Sequence, residues 1–387
     1  MMNRWIGMCL TLFTIVVLTG CWDRAELPER GFVMGIALDH SDDGSIKLTT
    51  QVFRPSQGVG LLGGKPAETS YINITTENNT VSRAIRDIPI NLGRKSQWSH
   101  IRLIIVSEKL ARERGLTEIL EFFYRDHEPR LTTSIMIAEG TASEYLEIRP
   151  LIENTTSQQV FQSGISAADN SGKTTDTNLL KLGLQMKSEV GNALVPYLFL
   201  SEQSPKITNV AGAALLKKGK LVGVMKPKKV ESLQMLLKDY RSGMLDIPCK
   251  EQSKKNQMME SVEIIFYNTK LQPINLSEDS LKVHVKIKLE VALVELSCSK
   301  IETIEDEKEF AKIIEETVKQ NIKETTDWLK KKKFDAIGLG NQVYRKNPQL
   351  WKRWKKDWET RFADTQFDID VEVRVNNSGT SISKPVF

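Results

Sequence analysis

An uncharged apolar run from Trp5 to Leu18 ends in Leu18-Thr19-Gly20-Cys21, and this join constrains the chain more than any other stretch. The run falls short of the roughly 20 apolar residues that span a bilayer. Arg4 ahead of it and small residues behind it give the layout of a secretory signal. The expectation is cleavage before Cys21 and removal of residues 1–20. Lipid then attaches to the Cys21 sulfur as S-diacylglyceryl cysteine, and the new amino terminus is open to N-acylation. An uncleaved anchor with an incidental cysteine is the competing reading. In the preferred one the fold starts at residue 21 and reaches the membrane through lipid alone.

Removing residues 1–20 from 387 leaves 367, enough for two or three cores. Hydrophobic content of 40% and charged content of 27% match soluble domains, and no later stretch approaches a membrane span. The net charge of +5 is the small difference between 54 basic and 49 acidic residues, so no global field calls for nucleic acid. Cys9 leaves with the signal and Cys21 takes lipid, which leaves Cys249 and Cys298 either free or bridged. His40, His100, His127 and His284 are dispersed with no metal-ligand spacing, so neither metal nor cofactor is expected.

Hydrophobic periodicity predicts strands and helices mixed along three successive regions of the chain. Residues 21–190 form an N-terminal α/β domain with a linker helix. Its strands are expected at Gly31–Asp39, Ile46–Phe53, Thr69–Thr76, Ile101–Val106 and Leu131–Ala138, and its helices at Val81–Ile90 and Glu108–Tyr124. The Ser-, Thr-, Gln- and Gly-rich stretch Asn154–Thr177 reads as a linker before a helix at Asn178–Glu189. Residues 191–255 form a small middle domain. There Val210–Leu216 and Lys220–Met225 flank a tight turn, and a helix follows at Val230–Tyr240. Residues 256–387 form a C-terminal α/β domain opened by strands Ser261–Leu271 and Leu281–Val294. In the second strand Val283, Val285, Ile287, Leu289 and Val291 face one way, while His284 falls on the polar side. A long helix from Asp306 to about Lys333 and a last strand at Phe367–Val375 complete it.

Candidate chemistry is sparse. Gly58-Val59-Gly60-Leu61-Leu62-Gly63 matches a dinucleotide fingerprint by letter, but Pro55 and Pro66 deny it the required strand before and helix after. Arg125-Asp126-His127-Glu128-Pro129-Arg130 gathers ionisable groups between a helix and a strand without a nucleophile, and is expected to be an ion-pair cluster fixing a helix end. Trp351, Trp354, Trp358 and Phe362 recur at helical spacing among lysines and arginines. An interfacial helix on lipid would look like this. A core helix is preferred, because a strand follows at once and the apolar face must pack.

Several short texts, in order, resemble one family. They are Gly20-Cys21-Trp22-Asp23 with Glu26-Leu27; His100-Ile101 through Ser107-Glu108; Phe122-Phe123 with Arg125, Asp126, Glu128 and Arg130; and Gly212 through Lys220-Leu221-Val222-Gly223. Asp335-Ala336-Ile337-Gly338-Leu339-Gly340 follows, with Arg345-Lys346 and Pro348 beyond. The chain is similar to the Ger(x)C family, the C subunits of spore germinant receptors in endospore-forming Gram-positive bacteria. It departs from the pattern at Ile337 and Leu339, where an aromatic is usual, and after Val375, where the arginine-glycine ending is absent. The resemblance implies a mixed α/β (α+β) lipoprotein of three domains, each a small mixed sheet with flanking helices, on the outer face of the cytoplasmic membrane that becomes the spore inner membrane, beside receptor A and B subunits. It carries no catalytic residues over. Arg125, Asp126, Glu128, Arg130, Asp335, Gly338 and Gly340 are candidate structural or partner contacts. Two other classes remain open from sequence: a lipid-anchored solute-binding protein, which should show two similar lobes and a hinge, and a surface hydrolase, which needs a nucleophile or metal constellation.

Overall fold

The computed structural model describes residues 5–7, 29–54, 69–203, 205–249, 258–276 and 281–376. Cys21 with the cleavage site, the glycine-rich stretch 58–66 and the tail beyond residue 376 lie outside them.

The first region builds on β1 (Arg30–His40), β2 (Ile46–Phe53) and β3 (Tyr71–Asn78), an antiparallel meander. Helix α1 (Val81–Leu92) starts at Thr80, whose side chain accepts from the Arg83 N–H, and ends at Gly93 in the left-handed region. Next come β4 (Lys95–Gln97), β5 (Leu103–Ser107), the short helices α2 (Glu108–Glu113), α3 (Leu116–Ile119) and α4 (Glu121–Arg125), then β6 (Ser134–Ala138) and α5 (Glu144–Glu147). Where one helix was expected from residue 108 to 124 there are three. Gly115, at φ +82°, lets the chain approach the Gly219 carbonyl, which accepts the Leu116 N–H at 2.7 Å.

The stretch read as a linker instead contains helix α6 (Thr156–Ser171), capped by Thr155. Its buried face is made of small side chains: Thr156, Ser157, Val160, Gly164 and Ala168. Ser157 donates twice to Gln51 Oε1 through its N–H and hydroxyl, and a Cβ on Gly164 would stand 2.6 Å from Met136 Cε. Composition suggested a loop because this helix packs by close approach and not by bulk. Helix α7 (Leu179–Met186) then leads to β7 (Asn192–Leu200), β8 (Thr208–Lys217), β9 (Lys220–Met225), α8 (Pro227–Leu237) and β10 (Met244–Pro248).

The strands expected to form a small middle sheet continue the first one. The order is β3-β2-β1-β5-β6-β7-β8-β9, with β4 beside β1 and parallel pairing from β1 through β7. The cause is β6, which pairs Ile137 and Ala138 with Tyr197 and Leu198 across the expected boundary. Two sheets therefore serve where three were expected, within a mixed α/β fold. Apolar layers cover both faces of the long sheet, one with α1 to α4 and α7, the other with α5 and α6.

The second sheet is β10, β11 (Met259–Leu276), β12 (Leu281–Glu295) and β13 (Gln366–Asn376), with β12 and β13 parallel. Alternation in β12 holds: Val283, Val285, Ile287, Leu289 and Val291 are buried. His284 stands half-exposed on the other face, 3.5 Å from Asp368. Against the apolar face lies α9 (Ile304–Lys331), opened by a reciprocal Thr303–Asp306 capping box and buried through Phe310, Ile314, Val318, Ile322 and Leu329. Three short helices, α10 (Leu339–Lys346), α11 (Pro348–Trp354) and α12 (Trp358–Asp364), lead back to β13.

Candidate functional site

The chain leaves α9 through Lys333 at φ +51° and reaches Asp335, which is 3% exposed. Gly338 at φ +67° then turns it into α10. Asp335 Oδ1 accepts the Leu339 N–H at 3.0 Å, and Oδ2 accepts the Gly340 N–H at 2.9 Å and the Trp358 indole N–H at 3.2 Å. One carboxylate thus caps α10 and fixes α12. Burial pushes its pKa up while the N–H donors pull the other way.

The same turn ties the two sheets together. Asn192 at the start of β7 donates to the Asp335 carbonyl at 3.2 Å, and Val190 N–H donates to Asn341 Oδ1 at 3.2 Å. Glu189 Oε2 accepts from the Trp351 indole at 2.7 Å and from Lys355 Nζ at 2.8 Å, contacts that hold its carboxyl below the usual range. A Cβ on Gly340 would stand 2.6 Å from Val190 Cγ2 and 2.7 Å from the Trp351 ring. Gly340 is helical, so close approach and not turning explains this glycine. Trp351, Trp354, Trp358 and Phe362 are all buried, so the tryptophan series forms core across two short helices in place of one.

The Arg125–Arg130 turn is built differently. Arg125 pairs back with Glu121 one helical turn away and is 78% exposed. Asp126 accepts the Glu128 N–H at 2.8 Å, and Glu128 Oε2 accepts the Trp98 N–H at 3.1 Å. The helix end is held by carboxylates on backbone N–H groups, not by ion pairs inside the cluster. His127 and Arg130 are exposed. Asp335 and Gly340 are buried, whereas Arg125 and Arg130 are exposed.

Cys249 and Cys298 form a disulfide, with Cα atoms 6.1 Å apart. It joins the end of β10 to the loop after β12. Buried Glu260 fixes that loop by accepting the N–H groups of Ser297, Cys298 and Ser299 and the Ser299 hydroxyl. Cys249, Glu260 and Cys298 come within 4.8 Å of one another, but bridged sulfurs supply no thiolate and the carboxylate is already engaged, so this donor set does not fit a metal. Sequence reading missed Glu189, Asn192, Glu260 and Asn341, each of which acts on a segment far along the chain.

Two family models cover most of the sequence. Residues 23–200 match the spore germination protein N-terminal domain, and residues 211–379 match the spore germination B3/GerAC-like C-terminal domain. The chain belongs to this spore germination family. Spore germination protein KC of Bacillus subtilis is 25% identical, covering 98% of this chain and 97% of its own length. Spore germination proteins B3 and A3 of the same organism are also 25% identical, over 95% and 96% of this chain and 96% and 97% of theirs. The crystal structure of the GerBC protein shares the fold, with a TM-score of 0.54 at 20% identity, covering 89% of this chain and 97% of that one. The two family models part at residues 200–211, between β7 and β8 and inside the long sheet.

Proposed function

We propose that the chain is the lipid-anchored C subunit of a spore nutrient germinant receptor, working with A and B subunits at the outer face of the spore inner membrane. The observation that carries this reading is the end-to-end match to spore germination proteins. The Leu-Thr-Gly-Cys join at Cys21 supports the anchor. Among the described residues no helix is long and apolar enough to cross a membrane. Two acyl chains supply stable attachment at about 0.8 kcal/mol per buried methylene. The subunit has no turnover of its own: it acts by favouring one arrangement of its partners, with an influence limited to its differential contact energy between resting and triggered states. Exposed Arg125 and Arg130, with half-buried Asp126 and Glu128, offer a contact surface, and Gly338 lies at the rim of the Asp335 turn. The relatives do not favour a solute-binding protein.

Co-purification from spore inner membranes tests the reading. A and B subunits should be recovered with the intact lipoprotein and depleted with Cys21→Ser, which should also leave the membrane fraction. Deletion should block the response to particular nutrients while agents that bypass the receptors still trigger germination. A correctly cleaved, membrane-bound Cys21→Ser product would overturn the anchor, and recovery of neither subunit in mild detergent would overturn the partnership.

A further inference from the structure

Where the two sheets meet, a cavity of about 420 Å³ opens between α8, β10 and α9, within the size range of small-molecule sites. Lys173, Lys228, Glu231 and Asp246 border it. Ion pairs are common elsewhere on this surface; Lys181–Asp239 at 2.9 Å and Arg241–Asp169 at 2.6 Å lie close by. Around the cavity the pattern breaks. Among the described residues Lys173, Lys228 and Asp246 join no ion pair, and the half-buried Glu231 has one side-chain partner, the Tyr240 hydroxyl at 3.5 Å. A carboxylate withdrawn from water without a cation is costly. Burial accordingly pushes Glu231 up to about 7, although Lys173 and Lys228 pull it down against Asp246.

Two more observations define what would fit. Helix α8 starts after Lys226 with no side-chain cap; Pro227 at its first position has no N–H, so the terminus adds its dipole and the Lys228 N–H to the cationic side. Met235, Met244, Leu245, Val318 and Ile322 give the cavity an apolar wall. Charges of both signs therefore border one apolar chamber with no contact ion pair among them. We propose that this cavity binds a small zwitterion with an apolar body, its ammonium on Glu231 and Asp246 and its carboxylate on Lys173, Lys228 and the α8 terminus. Binding of this kind needs neither A nor B subunit, so it is measured on the purified mature lipoprotein alone. Failure there leaves the receptor reading untouched, and failed co-purification leaves the cavity untouched.

Calorimetry on the mature chain in mild detergent tests the proposal, with L-leucine as the probe. 4-Methylpentanoate lacks its ammonium, isoamylamine its carboxylate and glycine its apolar body. L-Leucine should bind saturably, and each of the three should bind at least about tenfold more weakly. Glu231→Gln should weaken L-leucine binding by about tenfold or more. Lys173→Met, a change at an exposed side chain, should do the same without altering the melting temperature, and so answers the question even where the Glu231 variant folds poorly. Absence of saturable L-leucine binding up to about 10 mM would overturn the proposal. Binding indifferent to Lys173→Met, or equal affinity for isoamylamine, would also overturn it.

Discussion

The turns at Arg125–Arg130 and Asp335–Gly340 read alike as short charged texts between regular elements, yet they are built on opposite principles. In the first, carboxylates touch backbone N–H groups at the rim of the long sheet, and water competes for each contact. In the second, a single buried carboxylate gathers two backbone N–H groups and an indole, and the surrounding side chains join the two sheets. The lesson is that polar contacts gain weight through what happens when they are lost. At the surface water replaces a missing partner, whereas in the core nothing does.

Substitutions at the two turns measure that contrast. Asp335→Ala strands three buried donors and should lower stability by about 4 kcal/mol in chemical denaturation; a loss below about 1 kcal/mol would erase the distinction between the turns. Gly340→Ala should cost about 1–3 kcal/mol because its Cβ meets Val190 and Trp351, with loss of near-ultraviolet tryptophan signal as a second readout. Gly338→Val places a β-branched residue at φ +67° and should cost about 1–2 kcal/mol. If it left stability intact while abolishing germination, the rim of this turn would instead be a contact surface. Glu128→Ala removes the acceptor of the Trp98 N–H and should cost about 1 kcal/mol. Arg125→Ala should stay within about 0.5 kcal/mol, its pair with Glu121 being solvent-screened. A loss of receptor assembly with that variant, at unchanged stability, would mark Arg125 as a partner contact.

Long periodic segments were legible in the sequence. The alternation of Val283 to Val291 and the stripe from Phe310 to Leu329 identify β12 and α9, because burial on one face imposes a period that letters alone reveal. Helix α6 was not legible, since Ser157 and Gly164 pack by proximity and carry no apolar period. Strand β10 escaped for a related reason: five residues ending in Pro248 offer too short a pattern beside the polar text that follows. Continuity of the long sheet was hidden because Ile137–Tyr197 pairing is a contact between distant segments. The Asp335 text could be recognised, but its use as a junction depends on Glu189, Asn192 and Asn341. The cavity left no sequence signal, because Lys173, Glu231 and Asp246 converge only after the two sheets have docked.

The parallel pairing of β12 with β13 bears on the order in which the molecule assembles. Lys282 lies opposite Gln366 and Ala292 opposite Asn376, with α9 to α12 intervening along the chain. A nascent chain can zip β11 onto β12 as a hairpin early, by local search alone. It cannot seat β13 until the helical crossover has formed and brought the strand round, and such non-local closure is intrinsically slow. Until then β12 presents an edge of unpaired backbone N–H and C=O groups, with Val283, Val285, Ile287, Leu289 and Val291 along one face, to any neighbouring strand. For as long as that last strand is undocked, the free edge of β12 is a place where a wrong strand can pair.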